Sequence, residues 1–130
     1  MIEVYIPGQK GFEKYKKECK SLYEKVQNQI GDDKSFNFII HCTYFFLFVS
    51  RNRLIGGIYY FIDEDGKLFL NGFANRKMHE LNLECLKMST KWFKGKIYAF
   101  AQNRASALCL LKCGFKRTNG QEFVYCSQEV

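Results

Sequence analysis

The sequence holds one proline, Pro7, and one tryptophan, Trp92. With proline confined to the first turn, no Pro-rich linker divides the chain, and one domain over residues 1–130 is expected. Histidine is almost as scarce, with only His41 and His79. Neither lies at zinc-ligand spacing from a cysteine pair, no Cys-x-x-Cys occurs, and no metal site is expected. The cysteines at 19, 42, 85, 109, 113 and 126 then read as free thiols used as small apolar residues, which suits a reducing cytoplasm. Long apolar runs are missing too. The longest, Phe36 to Val49, is broken by Asn37, His41 and Thr43 and is too short to span a bilayer. Its Phe, Ile, Tyr and Val content favours a buried strand. Met1 to Gly11 lacks an apolar leader core, so no signal peptide is expected. No Walker loop, dinucleotide fingerprint or serine–histidine–carboxylate triad is present, which removes the commonest nucleotide-binding and hydrolase readings.

Acidic residues are sparse in one half. Residues 71–130 carry ten Lys/Arg against four Asp/Glu, whereas residues 1–70 carry ten against nine, so nearly all of the +7 net charge lies in the second half. Such a half favours an anionic partner: a phosphorylated cofactor, a nucleic acid or an acidic protein. A basic surface that only confers solubility is the alternative.

Aromatics are plentiful, with thirteen Phe and eight Tyr, and a chain of this length buries a core without staples. Ile2 to Ile6 reads as a strand closed by Pro7-Gly8. From Phe12 to Ile30, Phe12, Tyr15, Cys19, Leu22, Tyr23, Val26 and Ile30 recur at helical spacing, and Gly31-Asp32-Asp33 stops that helix. Phe38 to Ser50, Leu54 to Ile62 and Lys67 to Phe73 read as three strands with short connections, the Asp65-Gly66 pair marking a hairpin. Arg76 or Lys77 to Phe93 reads as a helix with Leu81, Cys85, Met88 and Trp92 as its core stripe. Lys96 to Ala101 is a strand reached through a helix, hence parallel to its predecessor. Asn103 caps a third helix, Arg104 to Cys113, which Gly114 ends. A hairpin around Asn119-Gly120 closes the chain. The class is α+β: an antiparallel meander, a βαβ crossover and a C-terminal hairpin in one mixed sheet, flanked by three main helices.

The segment Asn103-Arg-Ala-Ser106 to Lys112-Cys-Gly114-Phe115, following a strand, resembles the closing half of the GCN5-related N-acetyltransferase (GNAT) fold. The similarity covers most of the chain and is best from 54 to 118. It implies binding of acetyl-CoA where Lys67 to Phe73 and Ile97 to Ala101 splay apart. It also implies pantetheine held by backbone groups around Phe73 and Ala74, and pyrophosphate over the helix start Asn75-Arg76-Lys77. Free N–H groups and the dipole at a helix start suit phosphate oxygens. By the same resemblance Asn103 contacts the cofactor as well as capping, and Ser106 is the small residue where the cofactor chain packs. The sequence departs from the family at two places. The family turn Arg/Gln-x-x-Gly-x-Gly/Ala has no glycine here over 74–82, where Arg76 and Lys77 would supply side-chain cations. The family's tyrosine on the last helix corresponds to Leu110.

Acetyl transfer to an amine needs that amine deprotonated. The candidates are Glu64 in the turn before the fourth strand and His79 near the cofactor turn, while Glu80 and Glu84 read as a solvated helix face. The leading expectation is therefore an acetyl-CoA-dependent N-acetyltransferase acting on an amine of a protein or small molecule, without metal. The second is a catalytically silent GNAT-like module for binding or virion assembly. The glycine-free turn supports it and resembles small phage-encoded proteins of this fold. The third is a nucleic-acid binder using the basic half, although no recognition helix or aromatic strand motif is present.

Overall fold

The computed structural model describes residues 1–127. Its order is β1 (Ile2–Tyr5), α1 (Lys10–Val26), α2 (Phe36–Cys42), β2 (Tyr44–Ser50), β3 (Arg53–Ile62), β4 (Leu68–Ala74), a 3-10 turn (Arg76–Met78), α3 (His79–Thr90), β5 (Gly95–Phe100), α4 (Arg104–Lys112), β6 (Lys116–Asn119) and β7 (Glu122–Ser127). The strands form one sheet in the order β1-β2-β3-β4-β5-β7-β6. Every neighbouring pair is antiparallel except β4–β5, which the α3 crossover makes parallel. The α+β mixed sheet is therefore as the sequence indicates.

Two turns show how locally the meander is encoded. Arg51 and Asn52 both take positive φ (51° and 61°), the conformation a two-residue hairpin requires. In the next turn Asp63 Oδ1 accepts the N–H groups of Asp65 and Lys67, at 3.0 and 2.8 Å.

The core lies on both faces of the sheet, and adjacent β3 residues serve opposite sides. Tyr59 packs with Phe12, Tyr23, Phe36 and Phe45 under α1 and α2. Ile58 and Tyr60 pack with Cys85, Leu86, Leu110 and Phe115 on the side of α3 and α4. Period-two alternation on a sheet covered on both faces gives this division.

The structure corrects four expectations. Phe36–Cys42 is a helix, and the strand starts only at Tyr44. The Ser35 side chain accepts the Phe38 N–H at 3.1 Å, and Phe36, Ile39 and Ile40 bury one helical face, so an N-cap and an i, i+3, i+4 pattern outweigh β propensity. The main helices thus number four. α1 ends at Val26, and residues 27–31 turn back, with Gly31 at φ +67°. In α3 the fully buried positions are Cys85, Leu86, Ser89 and Thr90. Trp92 lies beyond the helix and is 45% exposed, its ring 4.8 Å from that of Phe46. A 3-10 turn, not α-helix, covers Arg76–Met78.

Candidate active site

The parallel pair is short. β4 and β5 share only the rungs Leu68–Ile97, Phe69–Tyr98 and Leu70–Ala99, so residues 71–74 of β4 have no partner in β5. On its other edge β4 stays paired with β3 through Ala74. Asn75 N–H donates to the Ile55 carbonyl at 2.8 Å. Alternation along an antiparallel strand sends the Phe73 N–H the same way, toward β3, and turns the N–H groups of Gly72 and Ala74 toward the splay. Asn71 Oδ1 accepts the Gly72 N–H at 2.9 Å. Of the two residues that the resemblance suggests, Phe73 and Ala74, it is therefore Ala74 that presents the donor facing the gap. The Phe73 ring is buried, 5.3 Å from Tyr23, and its N–H is turned to β3, so Phe73 offers the gap no donor.

A cavity of about 710 Å³ fills the splay. Asn71, Ala74, Arg76, His79, Asn103 and Ser106 are among the residues that line it. The structure thus brings together Phe73, Ala74, Asn75, Arg76, His79, Asn103 and Ser106 from the sequence candidates. Lys77 is exposed and outside the lining, and Glu64 lies on a second cavity.

Two helix starts meet this cavity. Asn75 caps the 3-10 turn, its Oδ1 accepting the Lys77 N–H at 3.1 Å. α3, which follows directly, has no side-chain cap, so its opening N–H groups carry the donor character of an uncapped helix start. Asn103 caps α4 through Oδ1, which accepts the Ser106 N–H at 2.9 Å and the Ser106 hydroxyl at 3.1 Å. Its Nδ2 donates to the Gln29 carbonyl at 3.5 Å, tying the α4 start to the turn after α1. α4 ends in a Schellman arrangement: Phe115 N–H reaches the Leu110 carbonyl and Gly114 N–H the Leu111 carbonyl, with Gly114 at φ +94°. Leu110 is buried in the core and brings no hydroxyl to the site.

Several lining residues carry no sequence signal of a site. Asn71 donates to the Ile30 carbonyl at 3.2 Å and so fixes the turn after α1 against β4. Cys109 also lines the cavity, and the Cys113 thiol beside it lowers its pKa, while the same contact raises that of Cys113.

A second cavity, of about 790 Å³, lies beside the first and shares Ile30, Leu70, Asn71, Phe100 and Gln102 with it. Its rim includes Asp32, Asp63, Glu64 and Asp65. Asp32 is built in: Oδ2 accepts the hydroxyl of buried Tyr59, and Oδ1 the Lys34 N–H at 2.8 Å. Among the described residues no group of His, Cys, Asp and Glu could hold a metal ion, and no helix is long and apolar enough to cross a membrane.

Comparisons with protein-family models and with curated proteins each found no match. Solved structures match over nearly the whole chain. An aminoglycoside acetyltransferase in complex with coenzyme A has a TM-score of 0.71 at 11% identity, over 97% of this chain and 95% of that chain. An N-acetyltransferase from Staphylococcus aureus Mu50 has 0.68 at 14% identity, over 97% of each. The Campylobacter jejuni N-acetyltransferase PseH in complex with acetyl coenzyme A has 0.54 at 11% identity, over 95% and 96%. At these identities the shared property is the fold, and the fold is that of the GNAT acetyltransferases.

Proposed function

We propose that this chain is an N-acetyltransferase that moves acetyl from acetyl-CoA to an amine. The observation that carries the reading is the splay: after Leu70 and Ala99, β4 presents an unpaired backbone edge to a cavity of about 710 Å³. An unpaired strand edge suits an extended amide-bearing chain such as pantetheine, which completes its hydrogen bonds as an added strand would. The residues present fit the cofactor. Gly72 and Ala74 would hold the pantetheine, with Ala74 N–H as the free donor. Arg76 and the uncapped start of α3 would hold the pyrophosphate in place of a glycine turn. Asn103 and Ser106 would line the other wall.

Acetyl-CoA, when bound, supplies an activated acetyl thioester. The chain has to orient the amine, exclude water and manage protons. Overall a C–N bond forms and the C–S bond breaks. An incoming ammonium gives one proton to a base, and the nitrogen gives a second to the departing thiolate, so coenzyme A leaves as thiol. His79, exposed on the cavity, would carry a proton there.

The test is thermal melting with acetyl-CoA, read together with thiol release on adding amines. A cofactor at one hundred times its Kd should stabilise the fold by about 2.7 kcal/mol. No shift at millimolar acetyl-CoA would overturn the proposal. A binding module that does not transfer acetyl is favoured by one observation, the burial of Leu110 where the family has a hydroxyl. It would show the melting shift without thiol release.

A further inference from the structure

The second cavity has a composition that the rest of this basic chain does not share. Its rim holds four carboxylates, Asp32, Asp63, Glu64 and Asp65, against one cation, Lys34. Lys34 Nζ is taken by Asp33 at 3.7 Å. Among the described residues the only other ion pair is Lys16–Glu13, so none of the four rim carboxylates is neutralised by a lysine or arginine. Aromatic rings form the wall beneath. Phe61 stacks on Phe69 at 5.8 Å, and Phe69 on Phe100 at 5.4 Å. Half-exposed Phe100 belongs to both cavities. Uncompensated carboxylates over aromatic faces, beside a volume large enough for a ligand, suit a cationic amine and disfavour an anionic or purely apolar one.

The geometry also separates two ends of the cavity. Asp32 is bound to Tyr59, which pairs with Asn71 at the junction of the two cavities. Glu64 and Asp65 lie in the turn beyond Ile62, five and six residues on from Tyr59. Asp63 is committed to its own turn, which leaves Glu64 and Asp65 as the exposed far pair.

We propose that the second cavity takes the acetyl acceptor, and that this acceptor is an extended amine carrying a second cationic nitrogen beyond the reacting one. Asp32 and the aromatic wall receive the end at the splay, and Glu64 and Asp65 receive the distal cation. The assignment rests on the acetyl-transfer reading for the word acceptor. The chemistry of the cavity stands on its own residues. Such an amine is either a free linear polyamine or a lysine side chain in a basic peptide.

The test is calorimetry on the full chain without cofactor, using spermidine, n-butylamine and a lysine-rich peptide as probes. Spermidine should bind at one site, at least about tenfold more tightly than n-butylamine. The surface variant Glu64→Gln/Asp65→Asn should weaken spermidine about fivefold and leave n-butylamine unchanged. Tighter binding of the peptide, with the same loss in the variant, would identify the source as peptide-borne. Equal affinity for spermidine and n-butylamine, or no effect of the variant, would overturn the assignment. Spermidine binding as expected, with no binding of acetyl-CoA, would overturn the acetyl-transfer reading and keep the cation site. Thiol release from acetyl-CoA as fast with n-butylamine as with spermidine would overturn the second-cation requirement and keep acetyl transfer.

Discussion

Leu70 of β4 and Ala99 of β5 are the last pair that the two strands share. Up to that rung the sheet is continuous. Beyond it β4 follows β3 while β5 follows β7, whose pairing with β5 runs on to Phe100–Glu122. Each strand of the divergent pair is thus held by its outer neighbour, which keeps the gap open without a ligand.

Gly56 contributes to that restraint. A Cβ built on it would lie 2.1 Å from the Phe73 carbonyl oxygen and 2.7 Å from the Ala74 Cα, both backbone atoms. β3 therefore approaches β4 at the level of the splay as only glycine allows. Gly56→Ala should destabilise the chain by about 1–3 kcal/mol, because backbone cannot step aside as a side chain can. Because the displaced segment is Phe73–Ala74, cofactor affinity should fall as well. Urea denaturation and a cofactor titration on the same variant check both outcomes.

Asn103 is a second lever. Its Oδ1 holds the Ser106 N–H, and Asn103→Ala should cost about 1 kcal/mol of stability through loss of the cap. Asn103→Ser keeps a capping oxygen but lacks the amide. If the residue also contacts cofactor, the serine variant should regain most of the stability while acetyl-CoA binding stays weakened. Recovery of both in the serine variant would mark Asn103 as a cap alone.

Tyr59 and Tyr60 give a pH signature. Burial, and for Tyr59 the hydrogen bond to Asp32 next, raise both phenols above their ordinary value. Their contribution is fully present below the unfolded tyrosine value of about 10 and is lost as pH rises beyond it, because the unfolded chain then releases protons that the folded chain retains. Each should lower stability by about 1.4 kcal/mol per pH unit in that range. Denaturation midpoints from pH 9 to 11 should therefore fall more steeply in the wild type than in Tyr60→Phe. Equal slopes would show that Tyr60 titrates alike in both states.

Cys109 lines the splay cavity, and the Cys113 thiol beside it lowers its pKa. Since the thiolate is the reactive form, alkylation of Cys109 by iodoacetamide should reach its plateau at lower pH than for an ordinary cysteine thiol. Bound acetyl-CoA should slow it severalfold by covering the cavity. Mass spectrometry of the labelled peptide separates Cys109 from the exposed Cys42 and Cys126.

Much of the fold is legible because its signals are local. The Asp63 and Arg51 turns, the Asn103 cap and the Gly114 stop each act within a few residues, and each is where the sequence places it. α2 is misread because the Phe, Ile, Tyr and Val content of Phe36 to Val49 suits a strand, and its helical signals, Ser35 in front and Phe36, Ile39 and Ile40 at i, i+3, i+4, span only two turns. The site is legible in part. Asn103 and Ser106 form a spaced motif, whereas Asn71, Phe100 and Asp32 reach the cavities through tertiary packing. Asp32 in particular reads as helix punctuation, and only the fold brings it to Tyr59.

Titration calorimetry with acetyl-CoA on the wild type and on Ser106→Phe tests the central claim most directly. Ser106 lines the splay cavity in the first turn of α4, so a phenyl group there fills the space assigned to the cofactor. The account predicts saturable 1:1 binding to the wild type and its loss in the variant, with the variant's far-UV spectrum unchanged. Equal binding by both proteins would place the cofactor elsewhere, and no binding by the wild type would contradict the account outright.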